Sequence, residues 1–114
     1  MKLDQELTQE ITQLHADFCS ALADARRLLL LYALSTGAMN VGQLVELLGF
    51  SQPSVSRHLK ILRERGLVES TRSGVTVEYN LTDHRLIEAL DMLRAVMRDQ
   101  WLRRASILDR ADPS

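Results

Sequence analysis

The sequence predicts a mainly α-helical fold with one β-hairpin, and three of its features carry that prediction. Apolar residues recur at three- and four-residue steps near both ends of the chain, which is the periodicity of amphipathic helices. Between these ends, shorter apolar segments begin after capping residues or stop at glycines. A Ser73-Gly74 pair then separates two runs that alternate as β-strands do.

Size and composition indicate a small globular protein. At 114 residues the chain is long enough for one domain, which we expect to cover residues 1–114. Apolar residues make up 46% and charged residues 25%, a balance that excludes a disordered chain. The N-terminal segment is too polar for a signal peptide, and the longest aliphatic run, LLLLYAL, is far shorter than the roughly 20 residues that span a bilayer. We therefore expect a cytoplasmic protein with no membrane partner.

The first two helices are predicted from an apolar stripe and a capping residue. The first should cover about residues 4–22, because one of its faces carries Leu3, Leu7, Ile11, Leu14, Phe18 and Leu22. Asp24 can cap a second helix through Leu34, and Gly37 follows where a left-handed residue is wanted. Because LLLLYAL is apolar on all sides, this second helix should be largely buried.

The third and fourth helices are joined by a short turn. The third should run from about Val41 to Leu48 and stop at Gly49, with inward side chains at Leu44, Val45 and Leu48. After the Gly49-Phe50 turn the fourth helix begins. Two helices joined in this way form a helix-turn-helix, in which the second enters the DNA major groove by its N-terminal residues.

The fourth helix has one apolar and one polar face. Ser51 is a suitable N-cap and Pro53 lies in the first turn, so the Ser51 hydroxyl should accept the backbone N–H of Ser54. Residues expected to face inward are Val55, Leu59 and Leu62, and those expected opposite are Pro53, Ser54, Arg57 and Lys60.

A hairpin and a long helix complete the chain. Alternation predicts that one face of the second strand is buried, at Val75, Val77, Tyr79 and Leu81. Thr82 or Asp83 can cap a last helix from about His84 to Leu108, and its apolar stripe is Ile87, Leu90, Leu93, Met97 and Trp101.

The positive charge is concentrated around the fourth helix. The chain as a whole has a formal net charge of −1. Residues 51–76 nevertheless carry five basic and two acidic side chains, a net charge of +3, whereas residues 1–50 carry −3. The charge near the binding surface matters more for binding an anionic partner than the net charge of the chain does, because salt screens electrostatic fields over about 8 Å.

Three stretches of sequence resemble the ArsR/SmtB family of small bacterial repressors. They are ALADARRLLLLYAL, LVELLGFSQPSVSRHLKILRERGLVES and TVEYNLTD, within about residues 16–98. The resemblance implies a winged helix-turn-helix with the helix order α1-α2-α3-α4-β-β-α5 and a DNA-binding core at about 38–82. It also implies a homodimer through the helices at about 4–22 and 84–108, on a palindromic double-stranded DNA operator from which an effector releases the protein. The apolar stripes of the terminal helices favour a dimer independently, because such stripes need a partner surface.

The candidate DNA contacts lie on the polar face of the fourth helix and in the hairpin, at Gln52, Ser54, Ser56, Arg57, Lys60 and Arg72. Arginine and glutamine hydrogen-bond well to base edges, and serine serves phosphates or bases. Lys60 and Arg72 suit phosphates or plain surface positions better. His58 lies toward the inner side of the helix, which favours a structural role over base reading. The alternative is a winged helix used only as a protein-interaction module, which predicts an apolar or acidic face instead.

The family's usual effector sites do not match this sequence. Metal sensors of the family carry Cys-x-Cys where this chain has Asn40-Val41-Gly42. Of the zinc ligands on the last helix, only two carboxylates match, Asp83 and Asp99, and two ligands do not make a tetrahedral site. The cysteine pair of redox and persulfide sensors is replaced by Tyr32 and an apolar AVM. We therefore expect no metal at these sites and no cofactor.

Cys19 is the single cysteine, which excludes an intrachain disulfide and a CxxC motif. Two interpretations of it stay open. It packs in the core, as free cysteines often do, or it acts with His15, one turn before it, as a sensor of a soft metal, a metalloid or an oxidant. The sequence shows neither a motif that arranges Ser, His and an acid for catalysis nor a Gly-rich phosphate loop. We therefore do not expect an enzyme.

Overall fold

The computed structural model describes residues 3–111 of the chain. Within them the helices are α1 (Gln5–Leu14), α2 (Ser20–Leu22), α3 (Ala25–Leu34), α4 (Val41–Leu48), α5 (Gln52–Glu64) and α6 (Arg85–Ala111), and the strands are β1 (Met39–Asn40), β2 (Val68–Ser73) and β3 (Thr76–Leu81). The predicted class, mainly helical with a small antiparallel hairpin, is confirmed. The chain divides into an N-terminal unit that ends at Asp83 and a C-terminal unit that begins at His84.

The N-terminal helix, predicted for about residues 4–22, runs through α1, a π-helical turn and α2 without a break. Asp4 caps it by accepting the backbone N–H of Leu7 at 2.6 Å. No residue of α1 is buried, and the start of the predicted apolar stripe is exposed at Leu3, Leu7, Ile11 and Leu14. The stripe is therefore present, but the rest of the N-terminal unit does not cover it.

The π-helical turn covers His15–Cys19 and changes which groups the backbone pairs. The N–H of Ser20 donates to the His15 carbonyl, five residues back, rather than to Ala16. The Ala16 carbonyl instead accepts the hydroxyl of Ser20 at 2.7 Å and a guanidinium N–H of Arg65 at 3.2 Å. Single turns of this kind are rare in helices and frequent at functional sites.

The core of the N-terminal unit is built mainly from leucines of α3, α4 and α5. Asp24 caps α3 as predicted, because its carboxylate accepts the N–H groups of Arg26 and Arg27 at 2.9 and 3.3 Å. The largest fully buried side chains are Leu30, Leu31, Leu34, Leu44, Leu59, Leu62 and Val55. Each such burial stabilises the fold by roughly 1.5–3 kcal/mol. The predicted inner face of α5 is thus confirmed at all three of its positions.

A short strand that the sequence does not predict precedes α4. Strand β1 pairs with β3 and places Met39 opposite Tyr79, so the sheet order is β1-β3-β2. A strand of two residues has no periodicity to detect. Asn40 then caps α4 in a capping box with Gln43.

The hairpin is buried only at the end away from its turn. Val75, predicted to face inward, lies in the turn and is 98% exposed, and Val77 is exposed as well. Tyr79 is half-buried and Leu81 is buried. The predicted buried face is therefore wrong for its first half, because the residues next to the turn are exposed on both sides of the hairpin and no layer packs on them. Of the two turn residues, Gly74 and Val75, only Gly74 has a positive φ, +64°, which a type II′ hairpin turn requires at its first position.

The C-terminal unit is the helix α6, Arg85–Ala111, close to the predicted span of 84–108. It exposes large apolar side chains along its length, among them Leu93, Val96, Met97 and Trp101. No helix in the described part of the chain combines the length and the apolar character that crossing a bilayer would require.

Two glycines, one within α4 and one directly after it, allow a test of the turn in the helix-turn-helix. Gly49 ends α4 with a φ of +73°, so Gly49→Ala should lower the free energy of unfolding by about 1–2 kcal/mol. Gly42 lies within the helix, where a Cβ would meet the Asn40 Oδ1 at an ordinary 3.4 Å. Gly42→Ala should therefore raise the free energy of unfolding by about 0.5–1 kcal/mol. Urea denaturation measures both, and equal effects would contradict the assigned backbone conformation.

Candidate nucleic-acid interface

Helices α4 and α5 form the predicted helix-turn-helix, with Gly49–Ser51 as the connection. Ser51 has an extended backbone, and its hydroxyl accepts the N–H of Ser54 at 3.3 Å, as predicted. Pro53 occupies the first turn of α5, where a missing N–H leaves no intrahelical bond unmade. Local sequence thereby fixes where α5 begins. We call α5 the recognition helix.

One face of the recognition helix is exposed and polar. Gln52, Ser56, Arg57 and Lys60 are all exposed. Within residues 3–111, their side chains form no hydrogen bond and no ion pair. They are free to contact an external partner, and their donors suit base edges and phosphate oxygens.

Ser54 does not belong to this exposed face, so the prediction that it points outward is wrong. Its residue is only 5% exposed. Its hydroxyl accepts a guanidinium N–H of Arg26 at 3.2 Å, and the Arg26 guanidinium also lies over the Phe50 ring at 5.4 Å. Ser54 lies at the border of the two faces of α5, and its hydroxyl turns inward because it bonds to Arg26 on α3. A helical wheel of α5 does not include this partner.

His58 is a buried structural residue, as predicted, with 5% of its surface exposed. Its Nδ1 lies 3.3 Å from Nη1 of Arg27 on α3. Desolvation lowers the pKa of His58 below its usual 6.5; the Asp24 carboxylate opposes that shift, and the cations of Arg27, Arg57 and Arg26 add to it. Burial of the recognition helix's inner face therefore favours the neutral form of the imidazole.

The hairpin lies beside the end of the recognition helix and carries Arg72 on an exposed part of β2. Arg63, in the last turn of α5, donates to the Ser70 hydroxyl of the same strand at 3.4 Å. Arg72 faces Val77 across the ladder. The hairpin thus adds one exposed cation at a position that α5 helps to fix.

The two candidate effector residues both lie in the π-helical turn of the N-terminal helix. Cys19 and His15 are exposed. The core-packing interpretation of Cys19 is wrong for the chain by itself, because Cys19 is exposed and no residue of the π-helical turn is buried. In the described part of the chain no group of three or more His, Cys, Asp or Glu side chains comes close enough to hold a metal ion.

The arginines that connect the recognition helix to its neighbours do not follow from the sequence patterns above. Arg26 and Arg27 of α3 bond to its inner face, and Arg63 of the helix itself bonds to the hairpin. A signal for two of them is present in the sequence, because Arg26 and Arg27 occupy the first turn of a helix, where the helix dipole disfavours cations. Basic residues at such a position indicate partners elsewhere in the fold.

Helix-turn-helix, adjoining hairpin and exposed polar recognition face together define a winged helix-turn-helix DNA-binding protein. The sequence profile described as "Bacterial regulatory protein, arsR family" matches residues 24–70. The chain belongs to this family: the nodulation protein NolR of Rhizobium meliloti is 34% identical over 90 residues, which cover 79% of this chain and 74% of that protein.

Other relatives agree with that membership. A probable mercury resistance operon repressor of Streptomyces lividans is 35% identical over 96 residues, covering 81% of this chain and 77% of that protein. The crystal structure of NolR from Sinorhizobium fredii superposes with a TM-score of 0.71 at 33% identity, covering 84% of this chain and 95% of that one. The chain is therefore a DNA-binding transcriptional regulator.

The pKa of His58 makes stability depend on pH. Because this pKa is lower in the folded than in the unfolded state, the unfolded chain binds more protons, and stability present above pH 6.5 is lost as the pH falls through the folded pKa. Urea denaturation at a series of pH values should show this loss in the wild type. His58→Asn keeps an acceptor for Arg27 but does not titrate, so its profile should be flatter. The matched control is His84→Asn, at an exposed histidine of the C-terminal unit, which should behave as the wild type.

Proposed function

We propose that this regulator is a homodimeric repressor that binds an inverted-repeat operator and is released from it by an effector. The observation that carries the proposal is the exposed face of α5, whose polar side chains have no partner within residues 3–111 while its opposite face is buried. A helix anchored on one side and unpaired on the other can enter the major groove, about 12 Å wide, by its N-terminal residues.

The contacts divide by chemistry. Gln52 and Arg57 lie in the first two turns of α5 and suit base edges, Gln52 by its amide donor and acceptor and Arg57 by its paired guanidinium donors. Ser56, Lys60 and the hairpin residue Arg72 supply contacts to phosphates. Ser54 is not part of the set, because its hydroxyl is buried against Arg26.

The dimer is supported by the apolar stripes of the terminal helices. Leu7, Ile11 and Leu14 on α1 are exposed, and so are Met97 and Trp101 on α6. Contiguous exposed apolar side chains of this size mark interaction surfaces. A twofold dimer presents two recognition helices, which reach successive major grooves about 34–36 Å apart and so require an inverted repeat.

Substitutions on the exposed face of α5 test the DNA assignment. Arg57→Ala and Gln52→Ala should each lower operator affinity by about 1–3 kcal/mol while changing random-sequence affinity less, because each removes a hydrogen bond to a base edge. Lys60→Ala should weaken binding to both DNAs alike. It should also reduce the slope of log affinity against log salt concentration by roughly 0.9 for each phosphate that loses its cationic contact. Fluorescence anisotropy with operator and scrambled duplexes at several salt concentrations measures all three.

Two outcomes would contradict the assignment. Equal losses of affinity on both DNAs for Arg57→Ala would show that Arg57 binds phosphate. Wild-type binding that is indifferent to salt and to sequence would favour the alternative, a winged helix that binds only proteins.

The candidate effector site is the π-helical turn that carries His15 and Cys19. The exposure of both side chains favours it, because a thiol must be accessible to react. A soft metal ion displaces the thiol proton when it bonds to sulfur. Arsenous acid exchanges one As–OH bond for an As–S bond, and the hydroxide leaves with the thiol proton as water. The turn is also bonded to the end of α5 through Arg65 and Ala16, which gives a modification there a direct route to the recognition helix.

The thiol prediction compares the wild type with Cys19→Ser. Arsenite or a soft metal ion should release operator DNA from the wild type at concentrations at which Cys19→Ser stays bound, because Cys19 is the only thiol of the chain. Anisotropy titrations measure release, and Ser20→Ala, at an exposed neighbour, serves as the control. Equal behaviour of wild type and Cys19→Ser would exclude the thiol and leave an effector that binds elsewhere.

A further inference from the structure

Arg27 is half-buried, and its guanidinium lies where three helical segments meet. Its side chain is only 13% exposed. Nε donates to the carbonyl of Ala21 at 2.5 Å, and Nη2 donates to that of Ser20 at 3.5 Å. Nη1 lies 3.3 Å from Nδ1 of His58. One side chain of α3 therefore joins the end of the N-terminal helix to the middle of the recognition helix.

This connection requires a neutral His58. A guanidinium has donors only and stays protonated, so the ring nitrogen that faces it must be the acceptor and the ring proton must be on Nε2. Protonation would replace the acceptor with an N–H and add a second cation beside Arg27. The charged groups that act on His58 are Asp24, Arg26 and Arg27 from the start of α3 and Arg57 from its own helix.

Arg65 makes a second attachment to the same part of the N-terminal helix. It caps the C-terminus of α5, and its Nη1 donates to the Ala16 carbonyl at 3.2 Å. The same nitrogen is 3.9 Å from Asp17 Oδ1, an exposed pair that contributes little by itself. The backbone acceptor is available because the π-helical turn shifts the Ser20 N–H to His15. The recognition helix is thus held to residues 16–21 at two points along its length.

Accurate placement matters for the outer face. Side chains that read bases must be held within about 0.5 Å of the productive geometry. Apolar packing of Val55, Leu59 and Leu62 buries the helix but tolerates small shifts, since core packing is not directional. The hydrogen bonds of Arg27 are directional.

We propose that Arg27 is a positioning residue for operator binding, which orients the recognition helix through His58 and transmits displacements of residues 16–21 to the DNA-binding face. This proposal rests on the proposed operator binding and adds the route by which the N-terminal helix controls it. Arg27 itself does not contact DNA, because its guanidinium is enclosed by protein acceptors.

The first test is a double-mutant cycle on Arg27 and His58. Arg27→Met and His58→Leu should each lower operator affinity roughly tenfold and random-sequence affinity by less than about twofold, because base contacts depend on geometry and phosphate contacts on charge. The double variant should lose no more than the larger single one, because both remove the same bond. The salt slope should stay that of the wild type, since no phosphate contact is removed.

A conservative replacement and a pH profile separate positioning from mere stability. His58→Asn, whose amide oxygen can accept from Arg27, should retain operator affinity where His58→Leu loses it. The preference of the wild type for operator over random DNA should decline as the pH falls through the pKa of His58, and His58→Asn should remove that decline. Lys60→Ala is the control, because it weakens DNA binding without touching the connection and should keep the decline.

The outcomes distinguish this proposal from the one on which it rests. A wild type with no preference for any operator over random DNA would overturn operator binding itself. A wild type with such a preference, together with a folded Arg27→Met that keeps it, would overturn only the positioning role. Circular dichroism melting establishes folding. If Arg27→Met does not fold, the two His58 variants decide, and equal operator affinity of His58→Leu and His58→Asn would contradict the proposal.

Discussion

The placement of the exposed polar face of α5 depends on the half-buried guanidinium of Arg27. Partial removal of this charge from water is tolerated because its donors reach the carbonyls of Ala21 and Ser20 and the imidazole of His58. These partners come from two different segments, so the charge is satisfied only when both are correctly placed. Apolar packing alone accepts many arrangements of similar volume. A directional polar contact among leucines therefore favours one orientation of the recognition helix.

The recognition helix separates anchoring from recognition by face. Ser54 and His58 belong to the inner face together with three aliphatic side chains, and each is bonded to an arginine of α3. Gln52 and Arg57 lie close to them in the sequence but point outward without a partner among the described residues. Because anchoring and exposed side chains alternate along the helix, the exposed ones can be substituted without loss of the anchoring contacts.

The terminal helices show how a small protein can leave much of its apolar surface uncovered. Large aliphatic and aromatic side chains are exposed on α1 and on α6. Exposed apolar surface of this kind does not stabilise an isolated chain, but it stabilises an assembly in which a second chain covers it. The π-helical turn follows α1 in the N-terminal helix. It contains the Ala16 carbonyl that Arg65 binds and precedes the Ser20 and Ala21 carbonyls that Arg27 binds. A change at the proposed dimer interface therefore has a short physical path to the DNA-binding face.

Local rules determined most of the secondary structure. The caps at Asp24 and Ser51, the stop at Gly49 and the leucine spacing of α5 depend on residues within one or two helical turns, so they could be predicted from the sequence. The exposed face of α5 and its positive charge followed from the same spacing. The family resemblance added the order of the elements and the expectation of DNA binding.

The tertiary structure decided what each border residue does. Ser54 turned inward because Arg26, 28 residues earlier in the chain, offers its hydroxyl a donor. Cys19 is exposed because no other element of the N-terminal unit covers this part of the N-terminal helix. Periodicity reports which face of an element is apolar, but whether another element covers that face depends on contacts between residues distant in the chain.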